Sequence, residues 1–298
     1  MEELAIEVNR TRDVAFSDKV KAYFELTKPR IAFMLVLTAA AGFYLGSGQF
    51  DLSLFVVSML GITFLAFGTA TLNQFVERES DRLMKRTASR PLPSGRLTAR
   101  EALIFGIILC ILAELILFSF VNFLTGILGI LVILGYVLLY TPLKKVTTFS
   151  TVIGAFPGAM PPLMGWTAAA NEISIHAWIL FSIIFFWQFP HFLAIAWMYR
   201  DEYEKAGIKM LPVIDKQGKV TILQVLAFTV LLLVTSVVPF FVGMVGSLYL
   251  TVSMLLGAYF LYSAIQMARK RTIASARQVL IASVVYLPIV FALIVLDS

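Results

Sequence analysis

Long apolar runs separated by short polar segments dominate the pattern of this sequence. Each run is close to the roughly 20 residues that a helix needs to cross a bilayer. Strands of a membrane barrel would instead be about ten residues long, with alternating polarity. We therefore predict an all-α, polytopic membrane protein with about nine transmembrane helices. The runs cover residues 31–49, 53–75, 101–120, 123–140, 150–169, 174–198, 220–241, 246–267 and 278–296.

The composition and the placement of positive charge agree with this prediction. Of the 298 residues, 59% are apolar and 14% are charged, and the mean hydropathy is +0.88. All 24 Lys and Arg residues lie in the N-terminal tail, in the loops after spans 2, 4, 6 and 8, or at the ends bordering them. Because cytoplasmic loops carry such an excess, we expect a cytoplasmic N-terminus. The net charge of +6 then serves topology and contact with membrane lipid, not nucleic acid.

The first 25 residues are polar and mixed in charge, which predicts a cytoplasmic tail without a cleavable signal peptide. We assign residues 26–298 to one membrane domain.

A row of side-chain oxygens lies where the second span ends. Asn73, Glu77 and Asp81 recur every fourth residue, a step that rotates a helix by only about 40° beyond a full turn. One helical face therefore carries all three side chains. Oxygen ligands of this kind suit Mg²⁺, which takes its remaining ligands from water and substrate phosphate. The alternative is an ordinary solvated helix end, although polar residues so near the bilayer are costly without a purpose.

Basic residues follow this row directly. Arg86 and Arg90 precede Pro91, and Pro93 and Gly95 are turn formers, so the chain should leave the helix and fold back. Carboxylates beside guanidinium groups form the outline of a diphosphate site, since arginine can bind phosphate oxygens in pairs.

A second polar block over residues 199–219 follows the sixth span, four spans later and on the same side. If the chain consists of two halves that face one cavity, the two polar blocks should meet.

The segment at 73–95, with the pattern NxxxExxxDxxMxRTxxRPLPSG, resembles the first motif of the UbiA superfamily of intramembrane prenyltransferases, in the form found in its haem-modifying branch. The likeness extends over most of the chain. It includes LTKPR at 26–30, YTPLKK at 140–145, VIGA at 152–155, GAMPPLMGW at 158–166, WQFPHF at 187–192 and EYEKAGIKMLPV at 202–213.

This resemblance implies a UbiA-like helical bundle and an activity. The expected reaction moves a farnesyl group from farnesyl diphosphate to a vinyl group of haem B, with addition of water, to give haem O and diphosphate. Mg²⁺ would be held by Asn73, Glu77 and Asp81. The superfamily's usual second motif, two aspartates four residues apart, is replaced by Tyr199 and Tyr203.

The resemblance also implies roles for the remaining polar residues. Glu202 and Tyr203 would complete the catalytic group. A later haem-modifying oxygenase or a terminal oxidase would be a partner in assembly. The bases expected to bind diphosphate are Arg86, Arg90, Lys144, Lys145 and Lys205.

His191 follows Pro190 inside an apolar span, where a kink can open space. It is a candidate contact to haem, and a hydrogen bond within the bundle is the alternative. The Gly and Pro residues between 154 and 165 predict a broken helix around a cavity. Glu114, inside the third span, has no role in this scheme.

Other function classes make different demands. A secondary transporter would place its polar groups near the bilayer midplane, whereas most acids and bases here gather at one face. A prenyltransferase acting on a quinone precursor or another tetrapyrrole is the alternative within the enzyme class.

Overall fold

The structure is a computed structural model that describes residues 16–298. This part of the chain is helical and contains no strand. Residues 1–15, which form most of the predicted cytoplasmic tail, lie outside the described range. The helices are α1 Phe16–Leu26, α2 Pro29–Gly46, α3 Leu52–Arg82, α4 Ala99–Ile116, α5 Phe123–Ile133, α6 Ser150–Ala170, α7 Ile175–Met198, α8 Arg200–Lys205, α9 Leu211–Ile214, α10 Lys219–Phe241, α11 Ser247–Lys270 and α12 Ile273–Leu296.

Two of the helices continue in π-helical geometry. Helix α4 runs on through Leu117–Val121, and α5 through Leu134–Tyr140 and a short turn at Thr141–Leu143. Within residues 16–298, eight helices are long and apolar enough to cross a membrane. These eight match eight of the predicted spans. Helix α6 forms over the fifth predicted span but is not among the eight, so the count of nine stays a prediction.

The long helices pack into a closed ring. Successive neighbours are α2, α3, α4, α5, α6, α7, α10, α11 and α12, and α12 returns to α2. Helices α6 and α7 have the largest buried fraction among the long helices, because α6 also packs on α2 and α7 also packs on α12. The outward side chains of the other helices are mostly large and apolar, as expected for surfaces that face lipid.

The prediction of a broken helix between residues 154 and 165 is wrong. Helix α6 is continuous through Pro157, Pro161 and Pro162. Its small residues serve close packing instead. A Cβ atom on Gly165 would collide with the backbone oxygen of Ala39 in α2, and one on Gly42 would collide with the backbone of Pro162. Neighbouring helices can stabilise proline inside a membrane helix, which explains why the helix does not end.

Helix α1 packs against the loop that follows α3. Ala22 and Leu26 are buried with Leu92 and Leu97 in a small apolar cluster. A charged contact joins the same two segments, because the Arg96 guanidinium donates two hydrogen bonds to the Glu25 carboxylate, at 3.0 and 2.5 Å. The hydrogen bond from Arg96 lowers the pKa of Glu25. This contact holds the loop after α3 at the end of the bundle.

The close contact between α2 and α6 should make Gly165 intolerant of a side chain. We expect Gly165→Ala to lower the free energy of unfolding by about 1–3 kcal/mol or more, because backbone must move to admit the methyl group. Thermal unfolding of purified protein in detergent measures this change. Gly48→Ala is the matched control, since a Cβ atom at Gly48 meets nothing within 4 Å. Equal stability of the two variants would contradict the packing argument.

Candidate active site

The candidate site lies at the C-terminal end of α3. This helix has 31 residues and spans about 46 Å, longer than a bilayer core requires. Asn73 and Asp81 are each only 1% exposed, and the side chain of Glu77 is 14% exposed. The row of three side chains, spaced four residues apart, therefore faces the protein interior. The alternative of an ordinary solvated helix end does not apply.

Each member of the row contacts a basic side chain from a different segment. Lys28 Nζ donates to Asn73 Oδ1 at 2.9 Å. Lys144 Nζ donates to Glu77 Oε1 at 2.6 Å. Arg90 Nη1 donates to Asp81 Oδ2 at 2.7 Å. The row is thus matched by a second row of positively charged side chains. Their attraction offsets the free-energy cost of burying the carboxylates.

Arg90 reaches Asp81 because the loop folds back as the prolines predict. Thr87 Oγ1 donates to the backbone oxygen of Asp81 at 2.9 Å, which turns the chain at the end of α3. The backbone N–H of Arg96 donates to the oxygen of Pro91 at 2.9 Å, which closes the next turn. The Arg90 side chain then points inward.

Lys144 extends from the end of α5 into the same space. Its Nζ lies 4.2 Å from the centre of the Tyr140 ring, a cation–π contact. The backbone oxygen of Lys144 accepts a hydrogen bond from the N–H of Lys209 at 2.7 Å. This bond connects the second polar block to the site.

The second block also contacts Arg86, so the two polar blocks meet as predicted. The Arg86 guanidinium donates to the Tyr203 hydroxyl, and it lies 4.8 Å from the ring centres of both Tyr199 and Tyr203. The Arg86 backbone N–H donates to Glu202 Oε2 at 3.4 Å. Glu202 and Tyr203 therefore contact Arg86 at the edge of the site. Among the described residues they make no contact with Asn73, Glu77 and Asp81, which we call the acid row.

Of the remaining predicted bases, only one lines the site. A cavity of about 220 Å³ lies beside Glu77 and Lys144, and the exposed Lys145 is part of its wall. Thr141 and Ser80 also line it. Lys205 is exposed on α8 and is not brought to this cavity.

Burial and mutual charge shift the protonation of the lysines. Burial lowers the pKa of Lys28 to about 8, and the nearby Arg90 guanidinium adds to the effect. Burial alone would also lower the pKa of Lys144, but the Glu77 carboxylate together with Tyr140 and Tyr136 outweighs burial and holds this pKa well above its usual value. Lys144 is therefore a fixed positive charge.

Sequence reasoning does not identify Lys28 as a site residue, although Lys28 lies in the LTKPR segment at 26–30. Its backbone has a φ of 49° and a ψ of 59°, the left-handed region that lysine rarely adopts. Lys28 lies between α1 and α2, and this backbone conformation directs its side chain towards Asn73. The only signal in the sequence is Pro29, which starts α2 directly after it.

His191 lies in α7, about 10 Å of helix from its end at Met198. It is partly buried, and its Nδ1 is 2.8 Å from Ser283 Oγ in α12. The Trp187 ring stacks on it with centres 4.6 Å apart.

Glu114 has two buried carboxylate oxygens without a hydrogen-bond partner in the described residues, and the contacts suggest no role for it.

These features define a class of protein. The chain is a multi-pass helical membrane protein whose site, at one end of the bundle, combines buried carboxylates with basic groups suited to a phosphorylated substrate. The chain belongs to the UbiA prenyltransferase family, whose pattern matches residues 35–291.

Individual relatives agree with this assignment. The chain is 45% identical to the protoheme IX farnesyltransferase of Solibacter usitatus over 288 residues, which cover 93% of this chain and 99% of that protein. Among solved structures, a digeranylgeranylglyceryl phosphate synthase matches with a TM-score of 0.78 and 22% identity, covering 94% of this chain and 98% of that one. A UbiA homologue from Archaeoglobus fulgidus bound to DMAPP and Mg²⁺ matches with a TM-score of 0.65 and 20% identity, covering 91% and 98%.

The buried pair of Glu77 and Lys144 should be strongly coupled. We expect Lys144→Met to lower the free energy of unfolding by about 3–5 kcal/mol, because it leaves the Glu77 carboxylate buried without its partner. The double variant Lys144→Met, Glu77→Gln should recover most of this loss. Thermal unfolding in detergent measures both.

Lys216→Met is the matched control, because Lys216 forms a pair of the same length with Glu204 but both side chains are exposed. It should change stability by less than about 1 kcal/mol. Equal effects of Lys144→Met and Lys216→Met would contradict the coupling.

Proposed function

We propose that this protein transfers a farnesyl group from farnesyl diphosphate to a vinyl group of haem B. The observation that carries the proposal is the likeness to the Solibacter protoheme IX farnesyltransferase along almost the full length of both chains. The paired acid and base rows provide a site with the chemistry that this transfer needs. The seven-residue π-helix Leu134–Tyr140 lies shortly before Lys144, and π-helical segments are frequent at functional sites.

The reaction balances without a redox partner. The allylic carbon–oxygen bond breaks, and diphosphate leaves with both electrons of that bond. The vinyl group of haem attacks the farnesyl cation, water adds to the resulting carbocation, and one proton is released. The protein must stabilise the leaving charge and keep water from the first cation, which are tasks for fixed positive groups and an apolar cavity.

The basic row can bind the leaving group. Lys28, Lys144 and Arg90 already point into one region, and each contacts only one oxygen of its partner in the acid row. A diphosphate placed beside them would accept hydrogen bonds from the same nitrogen atoms after small side-chain movements. Lys145, at the cavity wall, would add a further charge, and Arg86 would join the second polar block to it.

The acid row fits Mg²⁺, since its members supply hard oxygen ligands. Asp81 Oδ1 is buried without a hydrogen-bond partner among the described residues, which supports its role as a ligand oxygen. Among residues 16–298, no group of three or more His, Cys, Asp or Glu side chains could hold a metal ion alone. Mg²⁺ in proteins is usually bound by one or two carboxylates together with substrate phosphate. When bound, the ion would neutralise charge that develops on diphosphate, held by Asn73, Glu77 and Asp81.

Orientation and partners form the rest of the proposal. The positive-inside distribution supports a cytoplasmic location of the site in the cell membrane. The product would pass to a later haem-modifying oxygenase or to a terminal oxidase.

Activity is tested with purified protein in liposomes. We expect farnesyl diphosphate, haem B and Mg²⁺ together to yield diphosphate and a more hydrophobic haem that elutes later in reverse-phase chromatography. Its mass should exceed that of haem B by one farnesyl group and one hydroxyl group. Omitting any one component, or chelating Mg²⁺ with EDTA, should stop the reaction. Turnover with a quinone precursor or another tetrapyrrole in place of haem would favour the alternative acceptor.

Arg90 tests whether the basic row acts on diphosphate. We expect Arg90→Lys to lower turnover by about one to two orders of magnitude at saturating farnesyl diphosphate, because lysine keeps the charge but loses the planar fork of donors. Arg82→Lys is the matched control, since Arg82 is exposed and, among residues 16–298, forms an ion pair only with Glu79. A loss below about twofold for Arg90→Lys would remove Arg90 from the diphosphate site.

A further inference from the structure

Ser283 makes contacts that define the protonation of a histidine ring. This residue lies in α12, is fully buried, and faces α7. Its Oγ is 2.6 Å from the backbone oxygen of Leu280 and 2.8 Å from His191 Nδ1. Its own backbone oxygen accepts a hydrogen bond from Trp187 Nε1 at 2.8 Å.

The serine has a single proton, and its position can be assigned. The Leu280 oxygen can only accept, so a separation of 2.6 Å without a proton would bring lone pairs together. The hydroxyl proton must therefore point at Leu280. Ser283 Oγ is left as an acceptor, and His191 must supply the proton from Nδ1. The ring is then the neutral tautomer whose Nε2 carries a free lone pair.

The plane of the ring is fixed as well. Trp187 stacks on His191 with an angle of 23° between the rings, and the bond from Trp187 to Ser283 prevents the indole from turning. Among the hydrogen bonds of residues 16–298, none involves Nε2 of His191. A histidine with its Nδ1–H held by an acceptor and its Nε2 free is the usual state of a metal ligand.

We infer that His191 binds the iron of the haem substrate through Nε2, and that Ser283 is the positioning residue that sets its tautomer and ring orientation. This inference rests on the proposed function for the identity of the ligand. Helix α12 thereby takes part in acceptor binding, whereas the diphosphate end of the site is built from other helices. Ser283 thus holds two stacked rings of α7. Its side chain contacts His191, and its backbone oxygen contacts Trp187.

The test uses the full-length protein in detergent with haem B alone, without farnesyl diphosphate. Resonance Raman spectroscopy of the ferrous complex should show an iron–histidine stretching band in the wild type that is absent in His191→Ala. Ser283→Ala should keep the band but move it to lower frequency, because loss of the acceptor at Nδ1 makes the imidazole a weaker donor. The haem Kd of Ser283→Ala should rise about 10- to 100-fold.

Two further variants separate positioning from general stability. Ser263→Ala is the matched control, because Ser263 is a buried serine whose hydroxyl, in the described part of the chain, donates a hydrogen bond only within its own helix. This variant should leave the band and the haem Kd unchanged. Ser283→Cys keeps nearly the same volume and a weak acceptor, so it should fall between wild type and Ser283→Ala, and it carries the comparison if Ser283→Ala does not fold.

The outcomes separate this inference from the proposed function. A wild-type complex without an iron–histidine band, or an unchanged band in the Ser283 variants, overturns the inference even if farnesyl transfer to haem occurs. Formation of the band without any farnesylated product overturns the proposed function and leaves the haem ligand in place.

Discussion

Pairing of charge along the end of a single long helix is the interaction on which the site depends. Helix α3 carries polar groups into a region where burial without partners would cost several kcal/mol for each ion. The partners come from three places: the turn before α2, the loop after α3 and the end of α5. Two of these pairs neutralise a buried carboxylate, the third joins a buried lysine to the neutral amide of Asn73, and all three fix a loop. The geometry of the site and the fold of the loops at this end of the bundle have the same cause.

The same pairing leaves the site prepared for an anionic substrate. The bases are already mostly buried and directed at one region, so less of their hydration and side-chain freedom remains to be lost when a ligand binds. The carboxylates of Glu77 and Asp81 are the groups that a divalent cation would neutralise in place of Lys144 and Arg90. A cation and a diphosphate entering together would thus preserve the overall charge balance of the site, while either one alone would disturb it.

The sequence was sufficient to predict those parts of the molecule that depend on local pattern. The apolar runs determine the helices, the step of four residues places Asn73, Glu77 and Asp81 on one face, and Pro91 explains the return of Arg90. Contacts between distant segments were not accessible in the same way. Nothing near Lys28 indicates that it meets Asn73, 45 residues later, and nothing near His191 indicates Ser283, 92 residues later.

The glycine and proline residues of α6 show a second limit of prediction from sequence. Proline frees backbone groups and glycine gives space, and both features are compatible either with a break or with close helix contact. The choice between them depends on whether a neighbouring helix brings complementary small surfaces. Helix α2 does so at Gly42 and Ala39, and α6 therefore stays continuous.

The order of the segments in the chain has a consequence for biosynthesis. Asp81 and Arg90 are nine residues apart, but Glu77 and Lys144 are separated by 67. At about 5–20 residues per second, the ribosome makes Lys144 roughly 3 to 13 s after Glu77. During this interval the hairpin of α2 and α3 has a carboxyl group near the bilayer whose lysine does not yet exist. The Glu77 side chain must stay at the aqueous boundary or carry a proton until α5 is synthesised, so the rate of translation between α3 and α5 sets how long the nascent protein remains in this state.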